Sequence, residues 1–203
     1  HKAVPNSLVH WNKVLEIGAE VVAIPVDING ALDQAFMKKY LPSSAMICTM
    51  AANNETGVAQ DIKALEKVIR AANPEVLWMV DSVQALGKID LNLAESTIDY
   101  APFSGHKLYA PKGIGMLYVR QGAPFTPFIA GGGQESGKRS GTENLPGIAA
   151  FGAILKALAE PQSSLFSDHK TLTGYREKLV TALKAAFPGI VFNMPFETSV
   201  PTT

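Results

Sequence analysis

The 203 residues are 47% hydrophobic and 18% charged, which is enough apolar material for the core of an α/β domain and too much for a disordered chain. Lysine and arginine total 18, aspartate and glutamate 18, so the net charge is zero, with no basic stripe for nucleic acid and no like-charged tail. The apolar runs are short and interrupted, which argues against a membrane span, and the one cysteine, Cys48, rules out an internal disulfide or a cysteine-rich metal site. A single cysteine fits a reducing compartment, so a cytoplasmic location is expected.

In chain order, Asn6 or Ser7 can cap a helix running to about Ile17, with Gly18 as its stop. Glu20 to Val26 (EVVAIPV) is rich in β-branched residues and reads as a buried strand. Leu32 to Leu41 is a short helix, and Ala45 to Met50 (AMICTM) a second buried strand. Asp61 to Ala72 is amphipathic, with Ile62, Leu65, Val68 and Ile69 on one face, and Asn73-Pro74 ends it. Strands follow at Val76 to Val80, Tyr100 to Phe103 and Gly115 to Val119. A glycine-rich polar segment, Gly131 to Thr142, precedes a helix from about Leu145 to Leu158. Pro161 to Ser164 reads as a linker, Ser167 to Phe187 as a long helix, and the surroundings of Val191 as a short strand.

Helices alternating with apolar strands predict an α/β fold: a mostly parallel sheet covered by helices on both faces. Such sheets bind ligands at the carboxyl ends of their strands. Three polar loops, Asn53-Asn54-Glu55, Asp81 to Gln84 and Ser104 to Lys107, each come directly after a predicted strand. Lys107 stands in a turn between two apolar runs, after Ser104, Gly105 and His106. A lysine so placed can form a Schiff base with a carbonyl, the way pyridoxal phosphate is held. Such a cofactor needs a carboxylate against its ring nitrogen, and Asp81 is the candidate. Gln84 and Asn54 can donate to a ring oxygen, while Ser104, His106 and Thr142 offer donors suited to a phosphate. Each residue taken singly also has a structural explanation, as a cap, a turn or a surface charge; Lys112 and Arg139 read as surface charges, and Cys48 as a small apolar strand residue.

Four stretches in order carry a resemblance: NNETGVAQDI (Asn53 to Ile62), VDSVQALGKIDL (Val80 to Leu91), FSGHKLYAPKGIGMLYVR (Phe103 to Arg120) and GGGQESGKRSGTEN (Gly131 to Asn144). With these the chain resembles the NifS/IscS-like cysteine desulfurases of the class V aminotransferase family, pyridoxal-phosphate enzymes of fold type I. The resemblance covers nearly the whole chain. It implies that Lys107 forms the Schiff base, that Asp81 partners the pyridine nitrogen, and that Gln84 and Asn54 lie near the ring hydroxyl. It further implies that Ser104 and His106 bind the phosphate, that Thr142 reaches the phosphate bound by the other subunit of a homodimer, and that His1 stacks on the ring and takes part in proton transfer. The implied substrate is L-cysteine, with sulfur passing to an acceptor or scaffold protein, as in iron–sulfur cluster assembly.

The first residues already read as helix and the last, SVPTT, end without a closing element, so the sequence is expected to be a fragment. Residues 1–160 are expected to form the cofactor-binding large domain without its N-terminal part, and 161–203 the start of a smaller domain. The resemblance places an earlier phosphate-binding loop before His1, and the nucleophilic cysteine and the arginine for the substrate carboxylate after Thr203; Cys48 does not match that cysteine. The fragment alone is therefore expected to be inactive. Selenocysteine lyase, another class V enzyme and a non-catalytic homologue are the rival readings.

Overall fold

The computed structural model describes residues 1–160 and 169–202. Four strands form one sheet in the order β1 (Met46–Met50), β2 (Leu77–Asp81), β3 (Tyr100–Ser104) and β4 (Gly115–Val119). The first three run parallel and β4 antiparallel, giving a mixed, mostly parallel sheet. The parallel connections are long crossovers, as parallel pairing requires; that from β1 to β2 carries α3 (Ile62–Ala72). The remaining helices are α1 (Ala3–Val14), α2 (Gln34–Tyr40), α4 (Leu145–Ala159) and α5 (His169–Ala186).

Period-two alternation decides which residues enter the core. Ile47 and Thr49, Trp78 and Val80, Ala101 and Phe103 are buried on one face. Met37 of α2, Leu65 and Ile69 of α3 and Phe151 of α4 join the same cluster. The alternate residues, Met46, Cys48, Met50, Leu77, Met79, Tyr100 and Pro102, are half-buried or exposed. Trp78 is fully buried and donates from Nε1 to Thr49 Oγ1 at 3.0 Å, so the indole costs the core no unpaired polar group. The aspartates preceding α2 and α3 cap them: Asp33 accepts from Phe36 N and Asp61 from Ala64 N, each at 2.9 Å.

At the amino-terminal end of the strands Asp99 is 9% exposed, and Trp78 N donates to it at 2.8 Å. Arg70 and Arg120 flank it at 3.3 and 3.5 Å. Arg70 also donates to the carbonyls of Pro74, Val76 and Thr97, locking the loop that enters β2 to the one that enters β3. At the other end, Arg176 of α5 donates to the carbonyls of Phe196 and Ser199. The segment it holds returns to the loop after β1, where Ala59 N donates to Thr198 O at 2.8 Å and Val200 N to Gly57 O at 2.9 Å.

Three expectations change. Glu20 to Val26 is not a strand: it forms one isolated bridge, Val26 to Leu32, and Val21 and Val22 are exposed. Strand propensity needs a neighbouring strand to pair with, and this segment lies on neither sheet edge; Ile24 alone packs against the core. Nor is there a strand at Val191, which is 79% exposed; the chain turns there and bridges later, at Ser199 to Val58. Helix α1 begins at Ala3, so Asn6 and Ser7 lie inside it, and Ala3 N is met by His1 Nδ1 at 3.2 Å. The predicted linker Pro161 to Ser164 and the first turn of the last predicted helix lie outside the described residues.

Candidate active site

The register places Met50 beside Asp81, and Asp81 falls on the same face of the sheet as Cys48 and Met50. That face ends at the carboxyl edge in a cavity of about 420 Å³ lined by His1, Cys48, Met50, Asn53, Asn54 and Asp81, among others. Burial pushes the Cys48 thiol up to about 11.

The loop after β1 separates two neighbouring asparagines. Asn53 Oδ1 accepts from Glu55 N and Thr56 N at 2.8 and 2.9 Å, so it is spent on the turn. The Asn54 side chain has no protein partner among the described residues and lines the cavity. Asp81 is 6% exposed. Its Oδ1 accepts from Val83 N at 3.1 Å, and its Oδ2 has no protein donor among the described residues. Asp81 lines the cavity, so this oxygen is open to a donor there.

Lys107 sits in a 3-10 turn, Gly105–Leu108, directly after β3. Leu108 plugs into the core at 4% exposure, while His106 and Lys107 point out. Gly105 is required by close packing: a Cβ there would stand 2.9 Å from Ile114 Cγ2 and 3.1 Å from the Ala110 Cβ. Ser104 Oγ and His106 Nδ1 lie 2.9 Å apart. Gln84, 7% exposed, accepts at Oε1 from Lys88 Nζ at 2.5 Å. Lys88 was not singled out by the sequence; its spacing of four from Gln84 was the available signal.

The structure thus gathers His1, Asn54 and Asp81 around one cavity and sets Ser104, His106 and Lys107 on the neighbouring strand end. Gln84 follows Asp81 in the turn after β2. Thr142 is exposed, in the glycine-rich segment, and does not line that cavity. An aldehyde cofactor with a basic ring nitrogen, an anionic ring oxygen and a phosphate fits this donor set: an amine, a carboxylate with one oxygen open to the cavity, two amides, a hydroxyl and an imidazole. Among the described residues no group of three or more His, Cys, Asp or Glu side chains could hold a metal ion. No helix among them is long and apolar enough to cross a membrane.

A mostly parallel sheet with a polar constellation at its carboxyl edge defines an α/β protein, with a candidate small-molecule site at its strand ends. Residues 3–195 match the family model described as aminotransferase class-V, and the chain belongs to that family. It is 43% identical over 177 residues to cysteine desulfurase 2 of Trichormus variabilis, covering 87% of this chain and 43% of the relative. It is 34% identical over 209 residues to cysteine desulfurase IscS of Dictyoglomus turgidum, covering 98% of this chain and 52% of that one. Among solved structures, a NifS-like protein superposes with a TM-score of 0.85 at 35% identity, over 99% of this chain and 53% of the other. The chain spans about half the length of the curated relatives it matches.

Proposed function

We propose that the whole protein is a pyridoxal-phosphate-dependent cysteine desulfurase that converts L-cysteine to L-alanine and passes the sulfur to an acceptor. The observation that carries this reading is Asp81 Oδ2, without a protein donor among the described residues, at the end of β2, with the exposed Lys107 in the turn after the neighbouring β3, in a chain of the class V family. Pyridoxal phosphate, when bound, supplies an electron sink for the substrate carbon that loses its proton. Lys107 would hold the cofactor through Nζ, and the same amine is the group that would carry the α-proton. Asp81 Oδ2 keeps a proton on the ring nitrogen. Asn54 and Gln84 would donate to the ring oxygen, Ser104 and His106 would bind the phosphate, and His1 would sit against the ring as a proton carrier. Thr142, exposed here, is assigned to the phosphate held by a second subunit, which makes the working unit a homodimer.

The thiol that takes the substrate sulfur, leaving a persulfide, is assigned to a part of the protein outside residues 1–203. Residues 1–160 form the cofactor-binding part in this reading, and 161–203 begin a smaller domain. Delivery to iron–sulfur cluster assembly and a cytoplasmic location complete the proposal.

The test uses the full-length protein with added pyridoxal phosphate. A visible absorption band is expected that disappears on borohydride reduction, with the cofactor mass fixed to Lys107. Sulfide and alanine should form from cysteine faster than selenide and alanine from selenocysteine. A colourless protein indistinguishable from Lys107→Ala defeats the cofactor assignment; a preference for selenocysteine replaces the substrate.

A further inference from the structure

A second lysine, Lys88, follows Gln84 by four residues in the turn after β2. The turn after β2 is built from successive backbone bonds: Ala85 N to Ser82 O and Lys88 N to Ala85 O, both at 2.9 Å. They carry Lys88 about one turn beyond Gln84, where Nζ donates to Gln84 Oε1 at 2.5 Å. This turn packs on the one that bears Lys107. A Cβ at Gly87, at φ +73, would crowd Leu158 Cδ2 at 3.0 Å and Leu108 Cδ2 at 3.3 Å, and Leu108 directly follows Lys107. Burial first, and the Lys107 charge second, push the Lys88 ammonium below the ordinary lysine range, as expected of two amines in one neighbourhood.

The two ends of an amide side chain are unlike: the oxygen accepts and the nitrogen donates. A lysine ammonium only donates, so it can hold only the oxygen end. With Oε1 of Gln84 taken by Lys88, the end left without a protein partner among the described residues is the donor, Nε2. An amide free to rotate by half a turn would present its oxygen to the site part of the time, and an anionic ligand oxygen would be repelled.

We propose that Lys88 is a positioning residue for the cofactor, clamping the oxygen of Gln84 so that the donor end of that amide faces the site beside Lys107. This rests on the pyridoxal-phosphate reading above. The clamp acts through Gln84 and needs no contact between Lys88 and the ligand.

The experiment is a double-mutant cycle on the full-length protein with Lys88→Met, Gln84→Ala and the pair. It reads the dissociation constant for pyridoxal phosphate and the position of the visible band. Lys88→Met is expected to weaken binding roughly tenfold, the effect of losing one charge-assisted orientation, and to move the band in the same direction as Gln84→Ala. The pair should match Gln84→Ala alone, and Lys88→Arg should restore both readouts. Lys88→Leu, which likewise has no donor, runs alongside so that a folding failure of Lys88→Met leaves the comparison standing. Wild-type band and affinity in the neutral variants, or effects that add in the pair, overturn the clamp. If the wild-type protein itself forms no band and no borohydride adduct at Lys107, the cofactor reading fails first, and that result is seen before any variant is compared.

Discussion

Cys48 is a residue whose environment sets its chemistry. The sequence reads it as a small apolar strand residue, and the structure puts it in β1 with its side chain on the half-covered face, in the wall of the cavity. Its thiol is raised from the ordinary 9.0 to about 11, because burial disfavours the thiolate. Alkylation by a small thiol reagent is therefore expected to be slow at neutral pH and to rise about tenfold per pH unit on the alkaline side. The sign of the stability effect follows. The thiol is neutral in both states below pH 9.0, and the unfolded chain gains its charge first, so this contribution is full below that value and is lost as pH rises through about 11. Cys48→Ala should flatten the alkaline limb of a urea-denaturation series; an unchanged limb would show that Cys48 does not titrate late. Asn53 and Asn54 teach a related lesson. They are indistinguishable by type, and only the turn geometry shows that Asn53 is consumed by backbone amides while the Asn54 side chain has no protein partner among the described residues.

At the scale of elements, the Gly105–Leu108 turn is the part that the sequence marked best. Gly105 tucks under Ile114, and Leu108 anchors in the core, so the residues between them must point outward. Gly105→Ala places a methyl 2.9 Å from Ile114 Cγ2 and 3.2 Å from Ile114 O. The expected cost is about 1–3 kcal/mol, as for other overpacked sites, together with weaker trapping of pyridoxal phosphate at Lys107. Thermal unfolding and borohydride trapping measure the two effects; a variant equal to wild type in both would remove this turn as the reason for the glycine. Helix α3 was equally legible, because its apolar spacing and its Asp61 cap agree. EVVAIPV was not. Its composition announces β structure, but a strand exists only against a neighbour, and composition carries no information about neighbours.

For the molecule as a whole, the two ends of the sheet do different work. The amino-terminal end is tied by Asp99 between Arg70 and Arg120, and the carboxyl end carries the candidate site. Asp99→Ala leaves Trp78 N without its acceptor and removes the anionic partner of both guanidinium groups, which keep only their other acceptors, and among the described residues Arg120 Nη2 is already buried without one. The expected loss is about 2–3 kcal/mol, since one carboxylate serves a buried amide and two partly exposed arginines. Chemical denaturation should show it, with the visible band of the loaded protein retained below the new midpoint. A loss of the band without a loss of stability would instead connect Asp99 to the site.

By itself, the sequence determined the alternation of helices and apolar strands, the polar loops that follow strands, and the family resemblance, because periodicity and local motifs are properties of neighbours along the chain. The tertiary structure decided which loops share one cavity, that Asp81 Oδ2 has no protein donor there among the described residues, and that the turn after β2 packs through Gly87 on Leu108 of the Lys107 turn. Those facts depend on sheet register and on side-chain packing between segments that are distant in sequence, and no local pattern encodes them.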